Sequence, residues 1–571
     1  MSRRVIGFLL CAIPGLLMLV CGLALPAHLR AVDASVIQKA GRNSVPLIEQ
    51  GLALVKQDNL GGAQLLLQAA QEEGLPERQR LGLAVTNLAM QHPRWMVWGG
   101  GDARLDRLFA SDPHLPESGS EPFTDFVVRE DNRAVVLELL RASPVPAVQE
   151  LLRCRALTNT VIFSPSRSAS GQAIDTALAT CGLLLERGHL SGGLSNAVFA
   201  LAVASNLSGE PQRLEQVLLD LMSLGQRFNW GELVGFVGRV QDPETLRLLA
   251  NLVRKSDRQL PALFAAVQLS GQPAQVAAYL MKFSQTGLKD LGASLRFGAG
   301  GVNELLRRNQ RLHSSRFGWQ AAGQGPFGGM GSFAADLCWR TPRLGLTIKW
   351  LLYLLAGFLL AAALHFARPA ASVLEQPLQV RGFHMAREML FALGFLLVVL
   401  LLSEPFLAQE RQRVELPFRL RLPTVGSVIQ AGTISVNRTI MNQLSLLTLL
   451  LFFVLQALLY TASLVKLAEI RRQNLPSRIK LKLLENEDHL FDAGLYLGFA
   501  GTIISIILVS LGVIQPSLMA AYSSTSFGII FVVVFKIFHL RPTRRKLLLE
   551  AESAPAEPLA PAITPRLATP S

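Results

Sequence analysis

Asp492-Ala-Gly-Leu-Tyr-Leu-Gly-Phe-Ala-Gly501-Thr502-Ile-Ile-Ser505 and, shortly after it, Gln515-Pro516-Ser-Leu-Met-Ala-Ala-Tyr-Ser-Ser-Thr525-Ser-Phe-Gly528 decide how this chain is read. They sit in apolar runs at 490–512 and 516–540, each close to the ~20 residues a spanning helix needs. Thr502 stands ten residues before Gly512 and Thr525 nine after Pro516, which is about 15 Å and about 13.5 Å of helical rise. In antiparallel neighbours the two hydroxyls reach nearly the same depth, close to the midplane of a ~30 Å core. Gly494, Gly498, Gly501, Thr502 and Ser505 recur at helical intervals on one face, and Gly528 lies just past Thr525. Small residues in a stripe let backbones approach. The hydroxyls of Thr502, Thr525, Ser505 and Ser524 must bond their own backbone, a neighbouring helix or a passing ion. A tight packing face and a polar seam for ions are both open at this point.

Half of the 571 residues are hydrophobic and the mean hydropathy is +0.34, which points to a membrane and to more than one domain. The net charge of +14 is not read as nucleic-acid binding. Its basic residues cluster beside apolar spans, at Arg471, Arg472, Arg478, Lys480 and Lys482 and at Arg541, Arg544, Arg545 and Lys546, as the positive-inside rule requires of cytoplasmic loops. Five cysteines and nine histidines show no metal-ligand spacing, and no cofactor is implied. A Cys154–Cys181 disulfide and free buried thiols are both open.

The expected fold class is all-α: a polytopic helical membrane protein of about six spans with a large extracytoplasmic α-helical domain. Residues 1–29 hold an N-terminal anchor or a signal peptide, the anchor being preferred because Val5–Leu25 is long for a signal core. Residues 30–320 form a periplasmic helical domain. Pro211, Pro243 and Pro273 are spaced by 32 and 30 residues, each followed by a helix, a break and a second helix. Proline suits a helix's first turn, and such units read as an α-solenoid or as an irregular helical array. A glycine-rich linker at 321–345, flexible over 321–336, leads to a two-span hairpin at 346–407. A short periplasmic segment at 408–442 contains an alternating stretch, Val414–Pro423, that predicts a strand. A three-span module at 443–546 and a disordered cytoplasmic tail at 547–571 complete the chain.

The three-span module resembles the TolQ/ExbB/MotA proton-channel family. Gly498-Phe-Ala-Gly501-Thr502 matches the Gly-x-x-Gly-Thr of that family's penultimate span. Pro516 and Thr525-Ser-Phe-Gly528 match the proline and Thr-x-x-Gly of the last span in the TolQ/ExbB branch. The preceding span, Phe452–Tyr460 running into Lys466-Leu-Ala-Glu469-Ile-Arg471-Arg472, is similar too, and the resemblance covers residues 440–546. The long cytoplasmic insertion between the first two family spans is reduced here to residues 466–489, and Ala520 stands where the branch carries a glutamate. The resemblance implies that Thr502 and Thr525 line an ion path; Ser505 and Ser524 join them as candidates, and Gly494, Gly498, Gly501, Pro516 and Gly528 are the candidate helix-packing residues. It also implies a homo-oligomeric ring around a single-span partner of ExbD, TolR or MotB type that supplies a membrane aspartate. A fainter likeness of residues 394–417 to the ExbD span and first strand lacks that aspartate, with Phe391 at its place.

The leading expectation is a non-enzymatic component of a bacterial inner membrane. It couples ion flow, of protons in such a family, to envelope work, and residues 30–320 dock envelope proteins. The alternative is a membrane-anchored solenoid scaffold without conduction. A membrane enzyme finds no convergent nucleophile, histidine or carboxylate cluster to support it. Basic loops at 368–387 and 466–482 and after Arg541 place both termini in the cytoplasm and residues 30–345 in the periplasm. Reporter fusions at Gln324 and Arg472 should therefore report opposite sides of the membrane; the same side for both would reject this map.

Overall fold

Two parallel three-residue strands tie the ends of the largest folded unit together. In the computed structural model, which describes residues 3–102, 105–111, 116, 119–157, 159–163, 172–255, 259–314, 328–367, 381–406, 443–510 and 518–553, β1 (Ala31–Asp33) pairs with β2 (Arg311–His313). Ala31 lies opposite Arg311 and Asp33 opposite His313. The described residues are 81% helical with almost no strand, hence all-α. It divides into two compact units, residues 26–345, and residues 1–25 with 346–571.

In the 26–345 unit, helices start where the sequence supplies caps. Asp33 caps the Ala34–Gly41 helix by accepting from the Ser35 N–H at 2.9 Å. The prolines singled out above open or cap helices as expected: Pro211 caps Gln212–Gly225, while Pro243–Lys255 and Pro273–Leu295 begin on theirs. Their second helices are Trp230–Val237, Leu260–Ser270 and the pair formed where Pro273–Leu295 breaks at Ser284 (φ 47°). Gln212–Gly225 packs on Pro243–Lys255, which packs on Pro273–Leu295, and Leu260–Ser270 packs on the following Gly298–Arg308 helix. Each layer thus buries its apolar stripe on its neighbour, as in a stacked array of helix pairs.

Two expectations change, and one choice left open is decided. Residues 328–340 of the glycine-rich stretch form a helix, Gly328–Arg340, rather than a flexible hinge, because Ala334, Ala335 and Cys338 are buried against the Ala34–Gly41 helix; burial outweighs the ~1 kcal/mol per glycine that helix formation costs. Residues 321–327 lie outside the described residues. Cys154 and Cys181 are both free and buried; burial pushes their thiols up to about 11 and about 12, so neither is a thiolate nucleophile. Residues 547–553, expected to belong to a disordered tail, instead continue a helix, Arg541–Ser553. The strand expected at 414–423 and the tail from 554 lie outside the described residues.

In the other unit, helices occur at all six positions expected to span. Val5–Ala24, Pro342–Ala367, Leu446–Arg472 and Tyr522–Ser553 are long and apolar enough to cross a membrane, and Ala493–Ile504 is apolar but shorter. Four such helices suggest a membrane protein. Arg3–Ala24 runs antiparallel to Pro342–Ala367 along three glycines. A methyl group at Gly7 would lie 3.0 Å from Phe366, at Gly15 3.3 Å from Leu359 and at Gly22 2.6 Å from Tyr353. Pro342–Ala367 packs in turn on Arg381–Ser403, where Gly357 faces Ala392 and Phe395. Past the apolar stretch of the last three helices, Leu467, Ile470, Leu484, Phe491, Phe535, Leu540 and Leu547 form a separate core.

One buried acid of the 26–345 unit carries a pH dependence. Glu232 accepts from the Asn229 N–H at 3.0 Å while Asn229 Oδ1 accepts from the Glu232 N–H at 2.9 Å, a reciprocal capping box. Burial pushes the Glu232 carboxyl up to about 7, only partly offset by the Asn229 N–H. The folded state holds this proton more tightly than the unfolded chain, so the stability it contributes is present below the unfolded pKa and is lost as pH rises through about 7. Glu232→Gln should flatten that loss, measured as protease resistance of the full chain at about pH 5 and about pH 8.

Candidate functional site

The Gln443–Arg472, Ala493–Ser510 and Leu518–Phe535 helices form a bundle in which the second and third meet along glycines. A Cβ at Gly498 would lie 2.8 Å from Ser524 O and 3.2 Å from Thr525 Cα, and one at Gly528 would lie 2.7 Å from Gly494 O. At Gly501 it would meet Ser524 Oγ at 2.4 Å and Phe452 of the first bundle helix at 2.9 Å. Side chains would hold these backbones apart, so the glycines set the helix separation.

The structure brings Thr502 and Thr525 together. Their hydroxyl oxygens are 2.5 Å apart, and each also lies near the Gly498 carbonyl, at 3.1 Å and 3.2 Å. Ser524 Oγ donates to the same carbonyl at 2.9 Å. Thr502 and Ser524 are buried and Thr525 is half-buried. Each threonine hydroxyl has one proton, so two protons serve the three contacts among Thr502, Thr525 and Gly498 O. One threonine donates to the other, or both donate to the carbonyl, and rotation about Cβ–Oγ exchanges these patterns without moving a heavy atom.

Of the remaining expected residues, Gly494 packs on Val532 and Gln456, and Gly528 on Gly494. Ser505 lies on the second bundle helix, its side chain outside what the structure describes. Pro516 lies outside the described residues.

Several polar groups were not singled out from the sequence. Gln456 is 1% exposed and donates from Nε2 to Gly494 O at 2.9 Å. Tyr460 Oη and His539 Nε2 are 3.0 Å apart, and Lys536 Nζ lies 2.7 Å from Asp492 Oδ1. Lys536 and His539 belong to a π-helical turn, Lys536–Leu540, of the kind that inserts one extra residue and re-aims side chains. In the neighbouring helices Lys349 Nζ lies 3.5 Å from Glu404 Oε1, with both side chains 1% exposed. Glu404 is therefore a buried, paired acid. A single hydrophilic residue in an apolar run is the only sequence signal for Gln456 and Lys349.

In the 26–345 unit, a cleft of about 510 Å³ is lined by Lys39, Arg42, Phe333, Asp336, Trp339 and Arg340. Its acid is engaged by Arg340 at 3.1 Å and by Lys39 at 4.0 Å. Among the described residues no group of His, Cys, Asp and Glu is placed to hold a metal ion. Comparison with protein families, curated proteins and solved structures finds no match.

Thr502→Cys with Thr525→Cys should form a disulfide within one chain under mild oxidation, read as a mobility shift. Gly498→Ala should destabilise the bundle by about 1–3 kcal/mol, because the obstructing atoms are backbone. Gly82→Ala, whose nearest neighbour would be Leu67 at 3.8 Å, should be neutral or stabilising in the same unfolding assay.

Proposed function

We propose that the three-helix bundle is the ion-path module of a TolQ/ExbB/MotA-like component of a bacterial inner membrane. In this reading the protein couples ion flow, of protons first, to envelope work, and its 26–345 unit docks envelope proteins in the periplasm. The observation that carries the reading is the Thr502–Thr525–Gly498 cluster: two hydroxyls at one level of a close helix pair, sharing fewer protons than contacts. Such a cluster can pass a hydrogen-bond defect or solvate a proton, but hydroxyls do not titrate as carboxylates do. A carboxylate from a single-span partner of ExbD, TolR or MotB type then carries the proton past a ring of these chains.

A second reading is favoured by the same carbonyl. Gly498 O accepts from the Ser524, Thr502 and Thr525 hydroxyls, which is also how a dry packing seam satisfies its polar atoms. With the stacked helix pairs of the other unit, this describes a membrane-anchored scaffold. The double variant Thr502→Val, Thr525→Val separates the two. It should lower proton flux into membrane vesicles at least about tenfold while partner copurification is kept, an effect of at least ~1.4 kcal/mol on the barrier. Undiminished flux in the double variant rejects the conduction reading, and wild-type vesicles that assemble without flux favour the scaffold.

A further inference from the structure

We infer that Gln456 is a second station of the ion path, a binding site for one water molecule or hydronium a helical turn inside the threonine cluster; this rests on the conduction reading above. Gly494, whose carbonyl takes the Gln456 Nε2 proton at 2.9 Å, precedes Gly498 by four residues, about 6 Å of rise. That is the span one water bridges between two partners, each about 2.8 Å away.

The amide has a donor side and an acceptor side, and only the donor side is used. Gln456 is 1% exposed, and among the described residues no donor lies within hydrogen-bond distance of its Oε1. Leaving such an acceptor unmatched in an apolar interior is costly. A species that donates hydrogen bonds removes that cost, and water and hydronium both do. An anion does not, and a bare metal cation would need more oxygen ligands than this turn provides.

The surroundings continue the polar line in both directions. Toward the threonines lie Gly498 O and the Ser524 hydroxyl. Toward the other end, Tyr460 follows Gln456 by one turn and meets His539 at 3.0 Å, while Asp492, two residues before Gly494, holds Lys536 at 2.7 Å. Val532 lies beside Gly494, and Phe531 and Phe535 pack edge-on against Tyr460, so apolar side chains flank the Gln456–Tyr460 stretch, while the Lys536–Asp492 pair is partly exposed. Glycine at 494 and 528 makes room for the amide: a Cβ at Gly494 would sit 2.8 Å from Gln456 Oε1, and one at Gly528 3.4 Å from Nε2. This level is built around Gln456 as the threonine level is built around Gly498.

The test is proton flux in vesicles holding the full chain and its copurifying partners. Gln456→Met keeps length and bulk but removes both polar ends; Gln456→Glu keeps an acceptor and, protonated, a donor to Gly494 O. Flux should fall at least about tenfold in the methionine variant and return in the glutamate variant, with partner copurification unchanged in both. Flux lost in the threonine double variant but kept in Gln456→Met overturns this inference and leaves the conduction reading standing. Absence of flux in wild type overturns both. Should Gln456→Met fail to assemble, silver ion, which reaches only water-exposed thiols, decides instead. Gln456→Cys should react at least about tenfold faster than Val454→Cys, whose site is 2% exposed. Equal protection of the two overturns the inference.

Discussion

The close approach of two glycine-bearing helices is the constraint on which the rest of the bundle depends. Once Gly498 lies against Ser524 and Thr525, and Gly528 against Gly494, little room is left between the backbones, and most polar atoms of the seam find partners inside it. The hydroxyls crowd onto one carbonyl for that reason, and an amide from the first helix is drawn onto the next. Packing and polarity are one arrangement here: a larger residue at 498 or 494 would part the helices and scatter the hydrogen bonds together.

Much of this was legible because helical rise is arithmetic. The equal depth of Thr502 and Thr525, the glycine face and the positions of six apolar helices follow from counting residues. The two oxygens do lie at one level, although their role in ion passage is a proposal. What escaped the sequence depended on partners remote along the chain. Gln456 finds a backbone carbonyl 38 residues away, and Lys349 finds Glu404 from a separate helix; neither pairing leaves a periodic trace. The glycine-rich segment misled because composition reports backbone freedom, whereas Ala334, Ala335 and Cys338 gain burial only once the fold exists. Three-residue strands such as β1 and β2 are too short to announce themselves by alternation.

The buried Lys349–Glu404 pair supplies orientation rather than net stability. Removing two charges from water costs more than their attraction returns unless geometry and hydrogen bonds are good, while removing one partner alone typically costs about 3–5 kcal/mol. Such a pair tolerates few alternative alignments of Pro342–Ala367 with the end of Arg381–Ser403. The apolar side chains around it would accept many. The two helices are thereby held in one register where leucine and alanine alone would let them slide.

The β1–β2 ladder bears on the order in which the chain folds. Arg3–Ala24 and Pro342–Ala367 pair as antiparallel neighbours although the whole 26–345 unit separates them. Closing an unstructured loop of that length is slow and entropically costly. Once Ala31 is paired with Arg311, the free chain between the two helices shrinks from roughly 320 residues to roughly 40, which removes about 2 kcal/mol of closure entropy. In sequence, the first apolar helix is separated from its partner by the whole of that unit. A three-residue ladder thus brings a helix pairing that is remote in sequence much closer to a local one.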